Sequence, residues 1–342
     1  MQWPCPWVIV RWMIAIFGAG AIGCWIGGKL ASGGAEVTLI GRARVMSLLA
    51  QGLRISEIDG DERTVRVKTA VEASAAATAA MTLVTVKSAQ TAEAGAALDR
   101  VLPDGAIVIS LQNGVRNASV LRAALPRRRV LAAMVPFNVV GKSAGGYHRA
   151  SAGALRIDDD PAALPFVAAC NAAKLPVETR DDMLAVQWSK LVMNLNNAIN
   201  ALSGLPLAAE LAQKPFRRCL AAAQAEAFAL LAAAEIPIAR LTPIPPRWQP
   251  RLLAMPDRLF QLLLPRIVPI DPSARSSMWD DLALQIVDLG RALRFEVVEL
   301  ARKLGKHAPV NEGLVRLVRE AESGGRRDYS GDELARALGV TA

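Results

Sequence analysis

The segment Lys190-Leu-Val-Met-Asn194-Leu-Asn196-Asn197-Ala-Ile-Asn200 sets a lysine and several carboxamides in an otherwise apolar stretch. Read as a helix, Lys190 and Asn194 lie four apart and share a face, and Asn197 falls three further along it. Polar groups in apolar surroundings are costly unless they are partnered or used. A partly buried lysine has a lowered pKa and can hand a proton to an oxyanion. Carboxamides beside it can orient a carbonyl or carboxylate by hydrogen bonds. Such a set suits the reduction of a ketone, where hydride delivery leaves an alkoxide that needs a proton. Spacing alone fits equally well a lysine whose stem lies along apolar surface with its ammonium in water. The rest of the chain must therefore say whether hydride is at hand.

Gly18-Ala19-Gly20-Ala21-Ile22-Gly23 is a G-x-G-x-x-G run directly after the apolar stretch Met13–Phe17 and at the start of a helical pattern over 21–30. That is the context a dinucleotide-binding loop requires. The first glycine permits a tight turn, the second lets backbone approach a pyrophosphate, and the third lets helix and strand pack closely. The helix start then offers free N–H groups and the positive end of its dipole. A second strand, 36–40, ends in Gly41-Arg42, with Arg44 beyond. Enzymes that use NAD usually carry an acid here, for the ribose hydroxyls. A guanidinium instead suits the 2′-phosphate of NADP through paired charge-assisted bonds. The competing reading of Arg42 is a solvated loop residue.

Strands are expected over 13–17, 36–40, 81–86 and 106–110, with helical patterns between them and a hairpin over 53–68 around Asp59-Gly60-Asp61. Strands over 130–137 and 153–157 finish the sheet. Alternation of this kind means a parallel sheet with helices on both faces. Thr85-Val86-Lys87 and Leu111-Gln112-Asn113-Gly114 then fall at carboxyl ends of strands, where such folds place ligands. After about residue 180 the pattern turns helical, over 183–202, 208–235, 275–303 and 310–322. The proline-rich stretch 236–272 reads as loops and short helices. The expected architecture is α/β: a doubly wound Rossmann domain over 13–180, an all-α domain over 181–342, and residues 1–12 as an extra arm ahead of Met13, the expected natural start. No internal repeat is visible.

Composition narrows the partners. Hydrophobic residues make up 52% of the 342-residue chain and charged residues 21%, enough apolar material for a full core. The net charge of +9 reads as solvated surface that favours anionic ligands, because no zinc finger and no basic helix interleaved with aromatics accompanies it. Cys5, Cys24, Cys170 and Cys219 are scattered, and His148 and His307 are the only histidines, so no metal site is expected. The cysteines read as core thiols of a reducing cytoplasm. The apolar start lacks the layout of a signal peptide or a membrane span. The reading leaves a small-molecule partner and, at most, a second copy of the chain, with neither nucleic acid nor membrane.

Taken in order, IAIFGAGAIGCWIGGKLA, TLIGRAR, TVKSAQT, ISLQNGV, KLVMNLNNAINALSGLP, ARSSMWDDL and HAPVN resemble segments of the ketopantoate reductases, over about residues 13 to 320. The resemblance implies NADPH-dependent reduction of 2-dehydropantoate to (R)-pantoate, a pantothenate precursor, in a cleft between a Rossmann and a helical domain. Lys190 matches the family's catalytic lysine. Asn113 matches an asparagine that helps hold cofactor and substrate, and Lys87 a lysine on the nicotinamide side. Asn194 matches a substrate-binding asparagine, and Ser277, just before Met278, a serine that contacts the substrate carboxylate. The family's next asparagine meets Ala198 here, with Asn197 as the nearest stand-in.

One departure is large. Aligned from Met278 and from Pro309-Val-Asn311, the chain needs no gap, and a family glutamate that binds the substrate hydroxyl falls on Leu289. The whole run ALQIVDLGRALRF, 283–295, departs from the pattern between matching flanks. Asp288 points about 100° away on a helix, and Glu296 lies two turns along. The substrate is then another 2-oxo acid, or the chain binds NADP with little catalysis, or the gene carries compensating frameshifts that the other reading frames of codons 282–296 would reveal. A charge-assisted hydrogen bond of this kind is worth about 1.5–3 kcal/mol. Leu289→Glu is expected to raise kcat/KM for ketopantoate by roughly 10- to 150-fold while leaving its deoxy analogue unchanged. Measuring both substrates on both proteins checks this, and strong ketopantoate preference in the unmodified chain would give the role to another residue.

Overall fold

The computed structural model describes residues 13–49, 51–142, 145–242, 244–260, 262, 274–276, 278–279, 282 and 289–340, with side chains of 289–295 excepted. The expected N-terminal arm, Ser277 and Asp288 lie outside the described residues, as does the side chain of Leu289. The chain divides into two compact units. One holds the described residues up to Gln112 together with Arg116–Met183, and the other Asn113–Val115 together with residues 184 onward.

The first unit is built on β1 (Met13–Phe17), whose interior residues are buried on both faces, as an all-apolar central strand must be. Helix α1 (Ala21–Ser32) carries the chain over to β2 (Glu36–Ile40), parallel to β1. Helix α2 (Ala43–Leu48) follows. The hairpin expected over 53–68 forms from β3 (Leu53–Ser56) and β4 (Glu62–Val65), and β5 (Lys68–Ala70) then returns to pair with β2. The chain crosses to the other side of β1 as β6 (Met81–Val84), then α3 (Thr91–Asp99), β7 (Ile107–Ser110), α4 (Asn117–Ala124) and β8 (Arg129–Met134). Strand order therefore reverses at β1, which has β2 on one side and β6 on the other. Such a reversal opens a crevice at the carboxyl ends of the strands.

Two features were not anticipated. Strand β11 (Leu155–Asp158), expected to finish the sheet, runs antiparallel to β8, and β12 (Val177–Arg180), after α5 (Leu164–Ala172), forms the edge beyond it. At four half-exposed residues β12 offers no hydrophobic run to read. The second feature is β9 (Val139–Lys142) and β10 (Gly146–Arg149), which join β3 and β4 in a separate four-stranded sheet. This sheet covers the outer face of α1. Trp25, fully buried on α1, donates its indole N–H to the Ser56 carbonyl at 3.1 Å and meets Phe137 edge to face at 5.2 Å. Adjacent glycines let α1 sit between the two sheets: a methyl group on Gly27 would press on Leu39 of the large sheet, and one on Gly28 on Ile55 and Leu53 of the small one.

The second unit is helical throughout its described regular elements. The single helix expected over 183–202 is two: α6 (Met183–Met193) and α7 (Asn196–Ser203). At the break, Leu195, Asn197 and Ala198 donate to carbonyls three residues back, a tighter winding than α-helix. The helix expected over 208–235 also splits, into α8 (Leu207–Leu211) and α9 (Lys214–Ala233). Pro215 explains this, because it lacks an N–H and fits only the first turn of a helix. Short α10 (Gln249–Leu253) lies in the proline-rich stretch, and α11 (Leu289–Lys303) and α12 (Pro309–Glu322) follow. The Glu226 carboxylate accepts the backbone N–H groups of Val310 and Asn311 at 2.8 and 3.0 Å, which caps α12. Unanticipated α13 (Gly331–Ala337) opens with a Ser330–Glu333 capping box.

Candidate active site

Register brings the first unit's motif residues to one edge. Phe17 is level with Ile40 of β2 and Val84 of β6, and Val84 with Ser110 of β7. The next residue of each strand, Gly18, Gly41, Thr85 and Leu111, therefore emerges at the same height. Cross-strand bonds continue over this step: Gly18 donates to the Ile40 carbonyl at 2.9 Å, Thr85 to Phe17 at 3.0 Å and Leu111 to Val84 at 3.0 Å.

The glycine run turns here, each glycine for its own reason. Gly18 has φ near +117°, and a methyl group on it would lie 2.6 Å from the Val86 nitrogen. On Gly23 a methyl group would lie 2.3 Å from the Gly18 carbonyl oxygen and 2.5 Å from the Thr85 hydroxyl, which itself donates to that carbonyl. Gly20 differs. A methyl group there meets nothing within 4 Å, so packing does not require this glycine. Gly20 is also the N-cap of α1 and has no side chain to cap the first amides, and the first turn holds no acid. Helix-start N–H groups without intrahelical partners, facing open space, form a cradle for phosphate. Ala19, Ala21 and Ile22 supply its backbone. Gly41 approaches Ala19 so closely that a methyl group would sit 2.7 Å from its Cβ, and Arg42 and Arg44 follow, exposed at the start of α2. The residues present fit a dinucleotide.

Half-buried Lys87 occupies the residue before the short turn Ser88–Gln90. The loops after β6 and β7 are locked by a buried network that the motif reading did not single out. Gln112 donates to the Val86 carbonyl at 3.0 Å and to the Thr91 hydroxyl at 2.7 Å. The Thr91 hydroxyl lies 2.8 Å from both the Ser88 carbonyl and Asn117 Oδ1, and Asn117 Nδ2 donates to Ser88 Oγ at 3.0 Å. Their signal was polar side chains at otherwise apolar positions. Asn113, one residue beyond Gln112, is exposed and groups with the second unit.

In the second unit Lys190 is half-buried near the end of α6, and burial pushes its ammonium down to about 8. Asn194 still donates its N–H to the Lys190 carbonyl at 3.0 Å, so it stands one turn beyond the lysine. Asn197 follows the break, on α7, and both side chains are half-buried. The expectation of one uninterrupted face through Asn197 is corrected by this break. The intervening Asn196 and the later Asn200 are buried and turn inward to Glu210, a residue the sequence reading passed over. Among the described residues no helix is long and apolar enough to cross a membrane.

The family model for ketopantoate reductase PanE/ApbA matches residues 14–161, and that for the ketopantoate reductase C-terminal region matches residues 182–322. A 2-dehydropantoate 2-reductase of Halobacterium salinarum is 30% identical over 322 residues, spanning 91% of this chain and 99% of that protein. The crystal structure of a PanE/ApbA family ketopantoate reductase from Ralstonia eutropha JMP134 superposes with a TM-score of 0.79 at 30% identity, over 91% of this chain and 99% of the other. A D-mandelate dehydrogenase solved with NADH and anilino(oxo)acetate shares the fold, with a TM-score of 0.77 at 17% identity over 91% of this chain and 99% of the other.

The glycine geometry separates packing from binding. Gly20→Ala is expected to leave the unfolding midpoint within about 0.5 kcal/mol of the parent, the usual range for a change that meets no neighbour. It should still weaken dinucleotide binding by at least roughly tenfold, about 1.4 kcal/mol. Gly23→Ala should instead destabilise the fold by about 1–3 kcal/mol through overpacking. Urea unfolding together with a cofactor titration reads both, and equal behaviour of the two variants would refute the assignment.

Proposed function

The chain belongs to the ketopantoate reductase family, a family of oxidoreductases that use a nicotinamide dinucleotide, and from that premise we propose that it is an NADPH-dependent reductase of a 2-oxo acid, 2-dehydropantoate first among candidates. The observation that carries the reading is a lysine held near a pKa of 8 by burial, one turn before an asparagine, in a chain that also carries an open phosphate cradle. The nicotinamide supplies hydride when bound. The backbone amides of Ala21, Ile22 and Gly23 would hold pyrophosphate, with Gly20 leaving room for it, Arg42 would pair with a 2′-phosphate, and Lys87 and Asn113 would flank the reacting end. Asn194 and Asn197 orient the 2-oxo acid, with Ser277 on its carboxylate. Lys190 gives its proton to the oxygen that becomes the hydroxyl. A second reading, a different 2-oxo acid without the hydroxyl, is favoured by Leu289, and a panel of 2-oxo acids separates the two. A third, an NADP-binding regulator, requires cofactor binding without turnover on any of them.

Cofactor choice tests the Arg42 assignment. NADPH should bind at least ~10-fold more tightly than NADH, about 1.4 kcal/mol, and Arg42→Ala should erase most of that preference; equal affinities in the unmodified protein would remove it.

Lys190→Ala should lower turnover by roughly 10²–10⁴-fold while NADPH binding survives. A general acid must be protonated, and Lys190 loses its proton as pH rises through about 8, so reduction should slow above that pH. A variant within a few-fold of the parent would return Lys190 to a surface role.

A further inference from the structure

The deepest polar cluster of the second unit is centred on Glu210 of α8, whose side chain has no solvent exposure. Its Oε2 accepts from Asn200 Nδ2 at 3.0 Å and from Asn196 Nδ2 at 3.3 Å. Asn200 Oδ1 in turn accepts the backbone N–H of Ser276 at 2.9 Å, and Ser276 Oγ donates to the Asn197 carbonyl at 3.2 Å. The start of α8 joins the same segment, with Leu207 N–H donating to the Ala274 carbonyl at 2.8 Å. Glu210 thus holds two amides of α7, which carries Asn197, and one of them, Asn200, is bonded in turn to Ser276 of residues 274–276, which lead to Ser277. These are the segments assigned above to the substrate.

The chemistry of the cluster selects a protonation state. Among the described residues neither Glu210 Oε1 nor Asn196 Oδ1 has a hydrogen-bond partner. A carboxylate with one oxygen unpartnered and no access to water is strongly disfavoured. A carboxylic acid removes the charge and turns the unpartnered oxygen into a donor, with Asn196 Oδ1 an unpartnered acceptor on one of the two bonded amides. We propose that Glu210 works as a neutral carboxylic acid, a positioning residue that holds the Asn194–Asn197 segment and the Ser276 segment in the arrangement that receives the 2-oxo acid; the substrate half of this rests on the function proposed above.

Burial raises the Glu210 carboxyl to about 8, only partly offset by the two asparagine hydrogen bonds. Among the described residues no cation pairs with it. Cys219 on α9 faces it as a thiol that burial pushes up to about 12. Arg217 on α9 directs its guanidinium to the carbonyls of Leu211, Leu253 and Met255 and to Asp257, and Arg275 donates to the Gly204 carbonyl. Because the folded carboxyl keeps a proton that the unfolded chain releases, folding stability must fall as pH rises from about 4.5 to about 8, then level off.

The test compares the parent with E210Q, which is neutral at every pH and whose amide can donate where Oε1 now stands. In one arm, thermal unfolding is followed from about pH 5 to about pH 9; the midpoint of E210Q should gain on the parent by at least about 4 °C across that window. Parallel curves overturn the neutral acid. In the other arm, KM for the 2-oxo acid should rise roughly tenfold in the parent between about pH 7 and about pH 9.5, the scale of one hydrogen bond lost, and stay level in E210Q. Lys190 is common to both proteins, so its titration cancels in the comparison. NADPH affinity should be equal in the two. A KM that rises equally in both, or one already raised in E210Q at neutral pH, overturns the positioning role. A parent that reduces no 2-oxo acid sinks the proposed function instead and leaves the unfolding arm to decide for Glu210.

Discussion

Gly23 of α1 comes so near the Gly18 carbonyl and the Thr85 hydroxyl that no side chain fits between them. That approach joins three elements at once: β1 through Gly18, α1 through Gly23 and β6 through Thr85, whose hydroxyl donates to the Gly18 carbonyl at 2.5 Å. With helix and strand this close, the start of α1 points its free amides along the carboxyl edge of the sheet. Trp25 and the Gly27–Gly28 pair then clamp the same helix between the two sheets, so the phosphate cradle is held by packing on both sides.

The second unit solves the opposite problem. Its helices bury groups that prefer water, and each is handled differently. Arg217 has its fork satisfied by three backbone carbonyls and Asp257 and its plane over Phe260 at 4.2 Å. Lys190 stays at the border of the core, and its ammonium is weakened rather than neutralised. Glu210 lies deepest and carries two asparagine amides on a single oxygen. Around the tight winding at Leu195 and Asn197, half-buried Asn194 and Asn197 alternate with buried Asn196 and Asn200.

Much of the fold could be read from local signals. The strands β1, β2, β6 and β7 announce themselves as apolar runs, and the glycine loop by its spacing and position. The hairpin of β3 and β4 follows from alternation around Asp59-Gly60-Asp61. The elements that escaped, β5, β9, β10, β12 and α13, are short, and their residues are half-exposed or mixed in character. The four strands among them form only because a partner edge is already in place, which is a property of the sheet and not of the segment. The breaks between α6 and α7 and between α8 and α9 show the same limit from the helical side. Pro215 marked the second in the sequence, whereas nothing in MNLNNA marks the first.

By itself the sequence determined the residue types that chemistry needs and the side of the sheet on which they emerge: glycines at the turn, Arg42 after the second strand, Lys87 and Asn113 after the next two, and Lys190 with Asn194 one helical turn apart. Spacing carries this information because strand and helix have fixed periods. Tertiary structure alone decided which glycine answers to packing and which does not, since that depends on whether another atom occupies the space. It decided that Asn196 and Asn200 serve Glu210 while Asn194 and Asn197 do not. It also lowers the Lys190 ammonium and raises the Glu210 carboxyl, because the energy of a charge follows from the water and dipoles around it, and those are assembled from residues distant in the chain.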